Sequence, residues 1–281
     1  MSNIRVAALQ LALGDDVNEN IGRAGQLVAE AAAQGAQIAL LPELFASRYF
    51  PARPDPSSFA LAAPPESSPA VQAMRVLAAT HELVLPVSYF ERDGDRFFNS
   101  LIVFDADGRE VGRYRKSHIP DGPGYEEKQF FAPGDSGFTV FDTRYGRLGI
   151  GICWDQWFPE CARALALQGA DLLLYPTAIG SEPTRPELDT QGPWQRVMIG
   201  HAVANTVPLV AANRVGDEMG QIFYGSSFIV DGRGEKLAEL DRNSQGVALA
   251  DIDLDSWHQE REWFGLLRDR RPEMYTKLTQ R

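Results

Sequence analysis

The segment RLGIGICWDQWFPE, residues 147–160, joins a short apolar strand to the start of a helix. Pro159 is suited to the first turn of a helix, and we predict one over 159–169. Cys153 therefore stands at a strand-to-helix turn, the position of a nucleophile elbow. Helix N–H groups and the helix dipole near such a thiol favour its thiolate form. The alternative is that Cys153 is a small buried apolar residue, the commoner place for a lone cysteine.

Short apolar strands and amphipathic helices alternate on both sides of this segment. Asp16 or Asn18 can cap the first helix and Gly35 can end it, and Asp-Gly turns predict antiparallel hairpins. Strand pairs between helix pairs indicate an α/β fold with two stacked sheets covered by helices. The predicted strands are 4–11, 37–43, 83–92, 98–105, 111–116, a hairpin at 139–153, 171–177, 208–215, 226–235 and 246–253, and the helices are about 16–34, 69–80, 159–169 and 193–206.

Composition excludes several classes of protein. The 281 residues are 44% apolar, enough for a sizeable core, and 27 basic against 38 acidic residues give a net charge of −11. An acidic surface repels phosphate backbones and anionic lipids, so we expect neither nucleic acid nor membrane partners. Two cysteines cannot form a disulfide framework, and the N-terminus carries no long apolar run. We therefore expect a cytoplasmic protein.

The chain shows no break in composition that would divide it. We predict a single domain over 1–281 with a C-terminal arm from about 256 to 281, charged but containing Trp257, Trp263 and Phe264. The arm either packs on its own subunit or on a second one. The sequence contains no GxGxxG motif, no P-loop and no metal-type Cys/His spacing, so no cofactor or metal is predicted.

Two further polar residues stand where apolar strands end, which is where α/β sheets usually place ligand chemistry. Glu43 follows a buried apolar run, so its pKa should be raised as suits a general base, although it could instead cap a backbone group. Lys116 follows the strand at 111–116 and could stabilise an oxyanion and lower a thiol pKa, or it could simply be solvated. Cys161 lies inside the helix at 159–169. Helix geometry places it too far from Cys153 for a disulfide, so we expect Cys161 in the core.

The combination of these residues resembles a known family. LLPELF (40–45), YRKSHIPD (114–121) and GICWDQWFPE (151–160) resemble the Glu-Lys-Cys signature of the nitrilase superfamily of carbon–nitrogen hydrolases. The resemblance implies a four-layer αββα sandwich, Glu43 as general base, Cys153 as nucleophile and Lys116 as stabiliser of the tetrahedral intermediate. It also implies a homo-oligomer built from dimers.

The segments at 116–135 and 175–183 resemble the branch of that superfamily that converts N-carbamoylputrescine to putrescine, carbon dioxide and ammonia. This resemblance implies a supporting glutamate eleven positions after the lysine, which is Glu127, with Glu126 as the open alternative. It places Glu182 opposite the far amine of a small cationic ureido substrate. The backbone N–H of Trp154 would be a second oxyanion donor. The residues expected to contact substrate are Trp154, Glu182, Tyr49 and His118.

Other functions stay open. A β-ureidopropionase, a D-amino-acid carbamoylase or an omega-amidase acts on a substrate with a carboxylate, which requires a cation, and Arg185 could supply it. A non-catalytic binding protein on the same scaffold is a second alternative. His118 and His201 could donate to a ligand or be structural.

Overall fold

A computed structural model describes residues 3–280, which form two large β-sheets with helices on their outer faces and a separate two-stranded hairpin of Val215–Glu218 and Gln221–Tyr224. The strands are β1 (Asn3–Gln10), β2 (Ile38–Leu40), β3 (Leu85–Asp93), β4 (Arg96–Phe104), β5 (Glu110–Arg115), β6 (Val140–Thr143), β7 (Gly146–Ile150), β8 (Leu172–Thr177), β9 (Leu209–Asn213), β10 (Val215–Glu218), β11 (Gln221–Tyr224), β12 (Phe228–Val230), β13 (Lys236–Glu239) and β14 (Gly246–Asp253). The α-helices are α1 (Val17–Ala33), α2 (Pro69–His81), α3 (Pro159–Leu167), α4 (Gln191–Asn205) and α5 (Leu254–Phe264). Short 3₁₀ turns lie at Phe50–Ala52, Pro56–Leu61, Glu127–Gln129, Cys153–Trp157, Pro272–Met274 and Thr276–Thr279.

The strand order shows how the two sheets are built. One sheet runs β14-β1-β2 and continues through a parallel bridge between Ile38 and Val84 into β3-β4-β5. The other runs β13-β12-β9-β8-β7-β6. The pairs β1–β2, β7–β8 and β8–β9 are parallel, and each is connected by a helix, because parallel neighbours need a long crossover.

Alternating side chains place each sheet between two layers. In β1, Val6 and Ala8 belong to the core between the sheets, whereas Ala7 and Leu9 pack with α1 and α2. The outer face of the other sheet packs on α3 and α4, for example through Tyr175. The order is therefore helix, sheet, sheet, helix, and the predicted four-layer αββα sandwich is confirmed.

Local signals in the sequence set most element ends. The Asp16 side chain accepts from the backbone N–H of Asn18 and Glu19, and Gly35 takes a positive φ of 84° after α1. The hairpin β3–β4 turns between Asp93 and Arg96, as its Asp-Gly pair predicts.

Three predicted strands differ from the structure. The strand predicted at 226–235 is observed only as β12, because the chain turns after Val230 and returns as β13. β2 ends at Leu40, whereas the predicted strand runs from 37 to 43. Pro42 is buried outside the strand, since a proline has no N–H with which to continue a strand ladder. The strand predicted at 208–215 is interrupted at Arg214, which separates β9 from β10 and is fully buried.

The described chain ends in α5 and two 3₁₀ turns, where Trp263 is 80% exposed and Phe264 53% exposed. Within residues 3–280, no helix is long and apolar enough to cross a membrane.

Candidate active site

The three residues singled out in the sequence all lie just beyond strand ends. Glu43 follows β2, Lys116 follows β5 and Cys153 follows β7. The charges of Glu43 and Lys116 both act on the Cys153 thiol, so the three side chains share one site. All three are buried, at 0%, 1% and 4% exposure.

Lys116 lies between two carboxylates. Its Nζ donates to Glu43 Oε1 at 2.7 Å and to Glu127 Oε1 and Oε2 at 2.8 and 2.7 Å. Burial by itself would lower the pKa of Lys116, but Glu127 and Glu43 outweigh burial and hold that pKa above its usual value. The lysine is therefore a permanent cation inside the protein and not a solvated surface residue.

Glu43 uses only one of its carboxylate oxygens. Oε1 accepts from Lys116 and from Asn99 Nδ2 at 2.6 Å. Oε2 is buried and has no hydrogen-bond partner among residues 3–280. A buried oxygen without a partner is uncommon in folded proteins. It is therefore an acceptor with a vacant hydrogen-bonding position.

The structure distinguishes the two neighbouring glutamates. Glu127 is completely buried beside Lys116, whereas Glu126 is partly exposed at the start of the 3₁₀ turn Glu127–Gln129. Burial raises the pKa of Glu127 to about 7, against the opposing effect of Lys116. The Tyr49 hydroxyl donates to Glu127 Oε1, and Tyr49 is fully buried. Tyr49, expected to contact substrate, thus uses its hydroxyl to hold Glu127.

Cys153 has a strained backbone and a thiol whose pKa is raised by burial. Its φ is +42°, a region that residues other than glycine seldom adopt, and it begins the 3₁₀ turn Cys153–Trp157. Its Sγ lies 3.6 Å from the carbonyl oxygen of Ala178. Burial and the nearby Glu43 raise the pKa of the thiol well above its usual value, although Lys116 opposes them.

The turn after Cys153 differs from the expected α-helix N-terminus. A five-residue 3₁₀ turn follows Cys153, and α3 begins only at Pro159, so the dipole of α3 is remote and the desolvation of the thiol dominates. The nucleophile needs a base to remove its proton.

Asp155 supports the turn that carries Cys153, and the sequence reasoning missed it. Its fully buried carboxylate accepts from Ile152 N at 2.9 Å, Tyr114 OH at 2.7 Å and His118 N at 3.0 Å. It also accepts from His118 Nδ1 at 2.7 Å, and the His118 ring stacks on Phe158 at 3.6 Å. His118, expected to contact substrate, is thus held in the wall of the site. An acidic residue two positions after the cysteine was the available signal.

Asn213, at the end of β9, was missed as well. Its side chain accepts from Ile179 N at 3.0 Å and donates to Ile179 O at 2.9 Å. These bonds fix the turn whose Ala178 carbonyl contacts Cys153. His201 has a structural role, the second of the two roles considered for it. It is buried, and its Nε2 donates to Gln156 O at 2.7 Å.

Glu182 is the remaining charged residue of the prediction. It is half-buried, burial raises its pKa, and its carboxylate makes no hydrogen bond or ion pair within residues 3–280, although its main-chain oxygen accepts from Arg185 N at 2.9 Å. Its charge acts on Tyr125, whose ring centroid lies 6.0 Å from that of Tyr49. Arg185 is mostly exposed, and its Nε pairs with Glu187 Oε1 at 2.7 Å.

Trp154 is 39% exposed, and its backbone N–H, at the start of a helical turn, has no intrahelical partner. Both cysteines are free, and Cys161 is in the core as expected. No group of His, Cys, Asp or Glu side chains in the described part of the chain could hold a metal ion.

A buried thiol, a carboxylate with a free oxygen and an enclosed lysine on an αββα sandwich define a thiol hydrolase. The carbon-nitrogen hydrolase family matches residues 5–262, and the chain belongs to that family, in the nitrilase superfamily. It is 50% identical over 281 residues to N-carbamoylputrescine amidase of Arabidopsis thaliana, covering 97% of this chain and 94% of the relative. It is 48% identical to a citrullinase of Francisella tularensis over 100% of both chains. A carbon-nitrogen hydrolase from Helicobacter pylori G27 has a crystal structure with a TM-score of 0.92 and 37% identity over 99% of both chains.

Proposed function

We propose that this protein hydrolyses the ureido group of N-carbamoylputrescine to putrescine, carbon dioxide and ammonia. The observation that carries the proposal is the buried Cys153 beside Glu43, whose Oε2 has no partner in residues 3–280, with Lys116 between two carboxylates. Plant N-carbamoylputrescine amidases are 47–50% identical to this chain over nearly its whole length.

In the first half of the reaction, Glu43 takes the thiol proton as Cys153 Sγ attacks the ureido carbon. The carbonyl oxygen becomes an oxyanion, which Lys116 and the Trp154 N–H stabilise. Glu43 then passes the proton to the terminal nitrogen, the C–N bond breaks and ammonia leaves. The product of this half is a thiocarbamoyl enzyme. Because the thiol rests protonated, the reaction depends on the free oxygen of Glu43.

In the second half, water attacks the thiocarbamoyl carbon and gives its proton to Glu43. The C–S bond breaks, and the proton returns to the sulfur of Cys153. The released carbamic acid decomposes to putrescine and carbon dioxide. Glu127 contributes by balancing and orienting Lys116. No step requires a metal or an organic cofactor.

We infer that Glu182 recognises the ammonium at the far end of the substrate. A half-buried carboxylate without a counter-ion in the described chain is costly when empty and favours a cationic ligand. A ureido acid would bring a carboxylate into the same position and be repelled.

Glu182→Gln tests this inference. We expect kcat/KM for N-carbamoylputrescine to fall about tenfold or more, mainly through KM, because one charge-assisted bond is lost. N-pentylurea has the same length with a methyl group in place of the ammonium and should react equally well with both forms. Initial ammonia release with both substrates is the measurement. An unchanged ratio of the two kcat/KM values would remove Glu182 from substrate selection.

Citrulline is the second candidate substrate, because the citrullinase of Francisella tularensis is 48% identical over both whole chains. Citrulline also carries an ammonium, but its carboxylate requires a cation in the pocket. Arg185, the cation considered for that role, pairs with Glu187 at the surface. Wild-type enzyme should be assayed with N-carbamoylputrescine, citrulline, N-carbamoyl-β-alanine and a simple nitrile. A higher kcat/KM for citrulline would reassign the substrate and leave the reaction unchanged.

We propose that the chain is one domain whose C-terminal arm contributes to a homo-oligomer built from dimers. The support is a set of exposed apolar side chains on α4, α5 and the following turns: Val203, Trp263, Phe264, Met274 and Leu278. Light scattering should give twice the monomer mass or an even multiple. Trp263→Glu should lower that mass, whereas Val76→Glu, exposed on α2, should not. A monomer at all concentrations would contradict the proposal.

We also propose that the protein acts in the cytoplasm. Both of its cysteines are unpaired, and a nucleophilic thiol is preserved in a reducing compartment.

A further inference from the structure

We propose that the buried ion pair Arg214–Glu218 is a positioning device that fixes Glu43 and Glu127 and so controls kcat, without contacting substrate. The inference rests on the proposed function in one respect, the role of Glu43 as base. The pair lies where β9 breaks and the β10–β11 hairpin begins. Its side chains are 0% and 1% exposed.

Arg214 binds the back of the turn that carries Glu43. Its Nη2 donates to the main-chain oxygen of Glu43 at 2.6 Å and to that of Leu44 at 3.2 Å. Its Nη1 donates to Ser47 O at 3.3 Å and to the Glu218 carboxylate at 3.0 and 2.8 Å. One guanidinium therefore joins three carbonyls of the turn to one carboxylate.

The turn needs such a partner because it has left the sheet. β2 ends at Leu40, and Leu44 has a φ of +49°, a strained conformation for a residue with a side chain. Without Arg214, the main-chain oxygen of the buried residue Glu43 would lack a hydrogen bond, whereas that of Leu44 also accepts from Ser47 N at 3.2 Å. The position of the Glu43 side chain thus depends on a residue far away in sequence.

Glu218 holds the other end of the same turn. Its Oε2 accepts from Tyr49 N at 2.7 Å, and the Tyr49 hydroxyl donates to Glu127. Arg214 also lies 5.5 Å from the centre of the Tyr49 ring, within cation–π range. A single ion pair therefore reaches both carboxylates that flank Lys116, one through Glu43 itself and one through Tyr49.

Stability alone gives a poor account of this pair. Two buried charges lose most of their mutual attraction to desolvation, and apolar residues of similar volume often stabilise a protein as well or better. Apolar residues cannot supply directed donors, whereas the planar guanidinium presents N–H groups to several acceptors at once. The geometry therefore indicates orientation of the turn as the function of the pair.

The decisive variant replaces both charges, Arg214→Met with Glu218→Leu. We expect a folded protein with a lowered melting temperature, because Glu43 O and Tyr49 N lose their buried partners. We also expect a fall in kcat of about 10- to 100-fold and a KM within about threefold, since a misplaced catalytic group costs rate more than binding. Arg214→Lys keeps the charge without the fork and should be intermediate. N-carbamoylputrescine and butyramide are the two substrates.

Val28→Ala, in the buried face of α1 on an outer layer, controls for lost stability and should keep kcat. A folded double variant with kcat within twofold of the wild type would overturn the proposal. If the double variant does not fold, Arg214→Lys decides, and an unchanged kcat in that variant overturns it equally. If the wild type does not turn over N-carbamoylputrescine, only the substrate assignment is overturned. The assay with butyramide still tests the role of the Arg214–Glu218 ion pair.

Discussion

Replacing Cys153 with alanine or serine should reduce hydrolysis of N-carbamoylputrescine by about 10⁴-fold or more, the scale at which an enzyme loses its nucleophile. Serine is no substitute, because its hydroxyl is far less acidic than a thiol and Glu43 is the only base whose free buried oxygen is found beside it in residues 3–280. Ammonia release under saturating substrate measures the effect. Mass spectrometry should also detect a thiocarbamoyl adduct on wild-type enzyme only.

Cys161→Ala is the matched control. Cys161 is equally buried but lies on the core-facing side of α3. Among hydrogen-bond partners in the described chain, its Sγ contacts only the Tyr175 hydroxyl, at 3.9 Å. Its loss should leave kcat within about twofold. Equal loss of activity in the Cys153 and Cys161 variants, with folding intact, would show that neither thiol is the nucleophile.

Lys116→Met should be the second most damaging change, in both activity and stability. It removes the oxyanion cation and the charge that lowers the thiol pKa, so kcat should fall at least as far as the roughly 10²-fold expected for Glu43→Gln. It also leaves Glu43 and Glu127 buried without a counter-charge. Loss of one partner from a buried charge cluster costs about 3–5 kcal/mol.

The stability loss should depend on pH in a definite direction. Glu127 already has a raised pKa, about 7, with Lys116 present, and without the lysine that pKa rises further. A carboxyl group whose folded pKa is raised binds a proton more tightly in the folded state, so its contribution to stability is lost as pH increases. The deficit of Lys116→Met should therefore be larger at pH 8 than at pH 5, measured as the difference in melting temperature from the wild type.

The double variant Lys116→Met with Glu127→Gln separates the two effects. Removing one of the uncompensated carboxylates should restore much of the stability at pH 8, while activity stays low because the cation is still missing. Near-normal turnover in either Lys116 variant would return this residue to a structural role.

Local sequence accounts for the elements and for the identity of the three central residues. The Asp16 cap, Gly35 after α1 and the Asp-Gly turn of β3–β4 act through neighbours a few positions away. Their effects can therefore be predicted from the local sequence. Strand ends can be predicted in the same way. Glu43, Lys116 and Cys153 each lie within a few residues of such an end. The strand predicted at 37–43 failed because a proline and three-dimensional packing ended it early.

The sequence by itself determined the layered α/β fold, the family and which residue types could perform the chemistry. Only the tertiary structure decided that Glu127 and not Glu126 faces Lys116, that burial raises the pKa of the Cys153 thiol, and that Glu43 Oε2 has no partner among residues 3–280. It also revealed the supporting residues Asp155, Asn213 and Arg214. The physical reason is that charge and burial act through space. Strands far apart in the chain end at one edge of the sandwich, and the distances between their side chains exist only once it has folded.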